Sequence, residues 1–138
     1  MANLVFHVDV NSAYLSWESS RRVAAGESDL RLIPAVIGGD RESSEISRVR
    51  YEGCLAAFQA HGIAFDEEKD YQTVRYSYQD GYDAAKRLLA GGRAFTALFA
   101  SADVMAVGAI RAFRDAGLRV PEDISVMGYD GLSIGAFL

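Results

Sequence analysis

The chain of 138 residues has one cysteine, Cys54, and only two prolines. A single thiol excludes an internal disulfide and fits a reducing compartment, so a cytoplasmic home is expected. A surplus of basic residues is missing as well: 14 Lys+Arg stand against 19 Asp+Glu, a formal charge of -5. Chains that live on nucleic acid carry a basic excess or stripe, so no nucleic-acid partner is expected. No apolar run approaches the ~20 residues that cross a bilayer, and the first residues lack the basic-then-apolar layout of a signal peptide; no membrane partner is expected. What is present is globular composition, half hydrophobic and 24% charged, in a length that suits one domain spanning 1–138.

Five short apolar runs read as strands: Leu4–Asp9, Arg31–Ile37, Tyr71–Tyr76, Thr96–Ala100 and Ile124–Tyr129. They are near-continuously apolar or β-branched, as parallel strands covered on both faces are. Four helical segments lie between them. The first is capped by Asn11 or Ser12 and stops at Gly26. The second runs from about Ser44 to His61, with Tyr51, Leu55 and Phe58 at helical spacing. The third sets Tyr82, Ala85 and Leu89 on one face and ends at Gly91-Gly92. The fourth opens at Asp103, buries Val107, Ile110 and Phe113, and closes in a Schellman-like stop at Gly117. This alternation implies a single α/β domain: a three-layer αβα sandwich on a five-stranded, mostly parallel sheet of flavodoxin-like or Rossmann-like type.

In such sheets the ligand crevice lies outside the carboxyl ends of the strands. Asp9, Asp40, Asp103 and Asp130 each sit at or just past such an end, and Asp80 begins the third helix on the same rim. Helix-initiating acids often serve only as caps, which fits Asp80 and Asp103; a divalent-cation site on the rim is the rarer alternative. The clusters Asp66-Glu67-Glu68 and Glu122-Asp123 precede strands and are expected at the opposite edge. Cys54 shares the apolar region of its helix and reads as inert core. His7, on a strand, has no evident nucleophile to serve, and His61 suits the negative end of a helix. Gly38-Gly39 opens a strand-to-helix turn without the remainder of a phosphate-loop motif.

Two family resemblances follow one another along the chain. Residues 1 to about 40, "LVFHVDVNSAYLSWE…LRLIPAVIGGD", resemble the start of the Y-family lesion-bypass DNA polymerases. The resemblance implies that Asp9 matches a ligand of both catalytic metals and Tyr14 a steric gate against ribonucleotides. Two-metal phosphoryl transfer needs further carboxylates, which that family supplies from a later palm strand. Asp9 and Tyr14 therefore read as vestigial, with no catalytic residue and no metal expected; Mg²⁺ would enter only if a polymerase fragment survived.

From about Ala35 onward, "VIGGDRESSEISRVRYEGCLAAFQAHGI", "YSYQDGYDAAKRLLAGG" and "TALFASADVMAVGAIRAFRDAGLRVPEDISVMGYDG" resemble the effector-binding core of lactose/galactose-repressor-type transcription regulators, in its C-terminal subdomain. The resemblance implies that Arg50 binds a sugar or purine effector, that Tyr76 packs against it, and that Asp130 accepts its hydrogen bonds; Asp103 is expected to bind the ligand with them. Ala102 stands where the family often has Asn or Ser. The family's DNA-reading headpiece has no match here. The whole then reads as a chimera, residues 1–40 polymerase-like and 41–138 repressor-like, joined near "LIPAVIGGD". The expected function is weak or vestigial binding of a small molecule, without catalysis or cofactor. A polymerase fragment and a purely structural recombinant are the alternatives. Surface freed from a missing partner subdomain makes a homo-oligomer plausible.

Overall fold

The computed structural model describes residues 34–92 and 95–133, with Ala24 and Gly26 besides. The strand expected at Leu4–Asp9, the helix after it, and Asp9, Tyr14 and His7 lie outside the described residues. From residue 34 onward, among the described residues, eight elements follow in order: β1 (Pro34–Gly38), α1 (Glu45–Ala60), α2 (Glu67–Asp70), β2 (Tyr71–Thr73), α3 (Tyr78–Ala90), β3 (Ala97–Ala100), α4 (Asp103–Asp115) and β4 (Ser125–Met127). All strand pairs are parallel, in the order β2-β1-β3-β4. Among the described residues the sheet has four strands, which fits the expected α/β class.

Of these four helices, the first three are each started by a side chain that satisfies an otherwise orphaned N–H. Ser44 accepts from the Ser47 N–H, Asp66 from Glu68, and Ser77 from Asp80; Ala102, at the start of α4, offers nothing. Asp80 is thus the third residue of a Ser77 cap and takes the Ser77 hydroxyl at 2.6 Å in return, a reciprocal arrangement of the capping-box kind. The predicted stop of α4 is present. Gly117 has φ +81°, and Leu118 N–H reaches the Phe113 carbonyl at 2.9 Å, the six-to-one bond of a Schellman turn.

Strand order dictates which face each helix covers, since parallel crossovers are right-handed. The chain leaves β1 in one direction and β3 in the other, so α1 covers one face and α3 with α4 the other. In-register rows show both faces. Val36 pairs with Tyr71 and Phe99, and Phe99 with Met127, giving the row beneath α1. Ala35, Leu98 and Val126 form the opposite row, under Ala84, Leu88, Met105, Ala109 and Phe113.

The strands are shorter than expected at their ends. β2 stops at Thr73 because β1 stops at Gly38: the Val74 N–H still reaches the Gly38 carbonyl at 2.8 Å, but nothing continues the ladder beyond it. Tyr76 consequently stands in the loop before α3 rather than on a strand. Val107, expected in the core, is only partly buried, and α1 turns Tyr51, Cys54 and Phe58 inward rather than Leu55.

One expectation holds only in part. Of the cluster Asp66-Glu67-Glu68, expected at the far edge of the sheet, Glu68 lies there beside Gly91 and Phe95, yet Glu67 forms an ion pair with Arg41, from just past the carboxyl end of β1. The reason is the reach of Arg41. Its side chain folds back from the loop after β1 over the rings of Tyr51 and Tyr71 and so meets an acid that precedes β2.

Candidate ligand-binding site at the carboxyl edge of the sheet

Helix α1 starts beside the point where the two crossovers diverge, and its first two turns face the carboxyl ends of the strands. Arg50 reaches across from there. Its Nη1 donates to the Ser101 carbonyl, just past β3, and its Nη2 lies 3.0 Å from Asp130 Oδ1, just past β4. The guanidinium also sits 4.0 Å over the Tyr129 ring, a favourable seat for a planar cation. With 18% of its side chain exposed, Arg50 is held on three sides and open on the remainder.

The residues named from sequence are therefore partly brought together. Arg50 and Asp130 touch. Asp103 is joined to Asp130 through the backbone, because its carboxylate accepts the N–H groups of Asp130 at 3.2 Å and Leu132 at 2.5 Å. Asp103 is buried and occupied in shaping this loop, so the geometry gives it a positioning role. It is not a cap either: it follows Ala102 and points at the chain after β4. Gly128 makes the contact possible, since a Cβ there would lie 2.1 Å from Asp103 Oδ1.

Tyr76 stands beside the first turn of α1. Its hydroxyl is 3.0 Å from Ser47 Oγ, one helical turn before Arg50, and 42% of the residue is exposed. Asp40 does not face this group; it folds onto its own loop, accepting from Glu42 N–H and the Ser43 hydroxyl, and the Ser43 bond above all holds its carboxyl below the ordinary range. Asp80 is engaged with Ser77. Among the described residues no three His, Cys, Asp or Glu side chains gather as metal ligands.

Composition alone gave no sign of a second, supporting layer. Arg41 lies 4.0 Å from the Tyr51 ring centre and 4.8 Å from that of Tyr71, and pairs with Glu67, which also accepts from the Tyr51 hydroxyl at 2.6 Å. The Arg41 bond, then the Tyr51 bond, keep the Glu67 carboxyl below its usual range. Burial pushes the Tyr71 phenol up to about 12, and its hydroxyl donates to the Gly39 carbonyl at 3.0 Å. Burial likewise raises the Cys54 thiol to about 12, in keeping with an unreactive side chain. The clue in the sequence was Gly38-Gly39. A Cβ on Gly38 would meet the Tyr71 hydroxyl at 2.2 Å, and one on Gly39 would meet Ser47 Oγ at 2.3 Å and the Tyr76 ring at 2.4 Å.

The sequence and the fold of this chain match known proteins. Residues 31–138 match the model of the periplasmic binding protein-like domain. The chain belongs to that family. Within it the likeness is to transcription regulators. The chain is 35% identical over 116 residues to the probable HTH-type transcriptional repressor ExuR of Bacillus subtilis, covering 84% of this chain and 33% of that one. Among solved structures, a sugar-binding transcriptional regulator of the LacI family from Escherichia coli, complexed with phosphate, gives a TM-score of 0.73. The two are 31% identical, over 94% of this chain and 44% of that one. The complex of the transcriptional regulator CelR with cellobiose gives 0.70 at 30% identity, over 84% and 34%. The chain thus spans about a third of the curated relative's length. These relatives are regulators rather than enzymes. The polymerase resemblance of residues 1 to about 40 finds no support in the comparisons, and the family match begins inside it, at residue 31. Among the described residues no helix is long and apolar enough to cross a membrane.

Proposed function

We propose that this periplasmic binding protein-like domain binds a small polar ligand, a sugar or a purine, at the carboxyl edge of its sheet, and performs no catalysis. The observation that carries the reading is the seating of Arg50. A guanidinium fixed by Asp130, the Ser101 carbonyl and the Tyr129 ring presents directed donors to a hydroxyl or ring nitrogen. Asp130 adds an acceptor and Tyr76 an apolar ring face, which together form the set that polyol and heterocycle recognition uses. The cellobiose complex of the similar regulator supports a sugar as the first ligand to try.

The site is one wall. Small-molecule sites bury ~70–90% of their ligand, and these residues cover one side only. Affinity of the isolated chain is accordingly expected in the millimolar range, about 4 kcal/mol. Titration with cellobiose and with adenine, followed by calorimetry, tests this: wild type binds one of them, and Arg50→Ala weakens it more than about tenfold, as loss of a charged hydrogen-bonding group does. Equal binding by Arg50→Ala would remove the reading.

For residues 1 to about 30, ahead of the family match at residue 31, we infer a second, polymerase-like ancestry from the motif at residues 7–18 alone, without surviving polymerase activity. Mg²⁺-dependent primer extension by the purified chain, abolished in Asp9→Ala, would contradict that.

A further inference from the structure

The Gly38-Gly39 pair and Ser47 do more than fill space beside the site. Tyr76 is half exposed and lies in a loop, where an aromatic ring would ordinarily sample several rotamers. Here one edge of the ring rests on Gly39, so closely that a Cβ at that position would lie 2.4 Å from Cε2. Its hydroxyl is tied to Ser47 Oγ at 3.0 Å. Ser47 is 1% exposed and sits in the first turn of α1, where its N–H is held by the Ser44 cap. A buried hydroxyl on a capped helix is a fixed point, unlike a partner on another loop. Gly39 is not in the left-handed region; what requires glycine there is the approach of the ring and of Ser47, not backbone conformation.

We propose that Ser47 is a positioning residue for the ligand, acting through Tyr76: the Ser47 hydroxyl and the Gly39 notch lock the tyrosine ring so that its open face stands toward the carboxyl edge, one helical turn from Arg50. The inference rests on the binding site proposed above. It assigns specificity to the phenol oxygen of Tyr76 as an anchor, so that a phenylalanine, which keeps the stacking surface, does not replace it.

The test has a ligand-free arm and a binding arm. In the free protein, nuclear Overhauser contacts from the Tyr76 ring protons to Gly39 Hα and Ser47 Hβ are expected, and Ser47→Ala is expected to lose the Gly39 contact although the helix cap remains. In titrations with cellobiose and adenine, Ser47→Ala and Tyr76→Phe each weaken binding about three- to tenfold, the worth of one hydrogen bond. The double variant is no weaker than either single one, because both remove the same bond. Ring contacts that persist in Ser47→Ala, or singles that add in the double, overturn the proposal. Binding that Arg50→Ala weakens while Ser47→Ala and Tyr76→Phe leave it unchanged overturns this inference alone. A wild type that binds neither ligand sinks the binding site and this inference with it.

Discussion

Where α3 crosses α4, a Cβ on Gly108 would lie 2.0 Å from the Tyr78 carbonyl oxygen and one on Gly81 2.4 Å from that of Met105. On the opposite side of the sheet, Gly53 of α1 faces open space, with nothing within 4 Å of its would-be Cβ. The two faces are built differently. Beneath α3 and α4 lies a dense layer of alanines and large aliphatics, backbone against backbone. Beneath α1 the buried set is smaller and aromatic: Val36, Phe58, Tyr71 and Phe99, supplemented by Arg41, Glu67 and the tyrosine hydroxyls. Close packing on one face sustains the fold, and that frees the other to carry directed polar groups to the sheet edge. The binding helix is thus the less tightly embedded of the long helices.

Breaking the dense face carries the largest penalty. Phe113 is fully buried, and Phe113→Ala is expected to cost about 3–5 kcal/mol, read as a lowered midpoint in urea unfolding. Gly108→Ala forces the two helices apart and is expected to cost about 1–3 kcal/mol. The identical change on α1, Gly53→Ala, should stabilise by up to about 1 kcal/mol, since it meets no neighbour and removes a helix-weakening glycine. Opposite signs for the same substitution would sharpen the contrast between faces; equal signs would break it. A last effect is absent at neutral pH and confined to the alkaline range. Cys54 and Tyr71 both have raised folded-state values, about 12. The unfolded chain therefore releases these protons first, and stability present at neutral pH is lost as pH rises from about 9, the ordinary thiol range, towards 12. Cys54→Ala should remove the early part of that decline and leave a limb beginning near pH 10, where a free tyrosine ionises.

Much of this was readable in advance, and the boundary is physical. Periodicity and caps placed β1, α1, α3, β3, α4 and β4 within a few residues, because local preference and burial agree there. The Schellman glycine at 117 was legible for the same reason. Helix α2 was not: four residues, Glu67–Asp70, are too short for a hydrophobic period to register. The Glu67 ion pair was not legible because it depends on the Arg41 side chain folding back over two tyrosine rings, a contact 26 positions apart. Pattern put Asp130 on the carboxyl rim, but Arg50 and its partnership with Asp130 came from resemblance. A helix arginine and a loop aspartate 80 positions apart carry no local signal, and the order β1-β3-β4 of the sheet brings them together. The same holds for Ser47 and Tyr76. Gly38-Gly39 was visible as a turn, but its reason, two tyrosine rings seated against neighbouring glycines, depends on contacts 30 or more positions along the chain.

The most direct measurement is a backbone amide shift map of the full chain titrated with cellobiose and adenine to tens of millimolar. Shifts concentrated around Ser47–Arg50, Tyr76, Ser101 and Tyr129–Leu132, saturating in the millimolar range, are the predicted result. Saturating shifts centred instead on the α3–α4 face, or a flat titration with both ligands, would contradict the account.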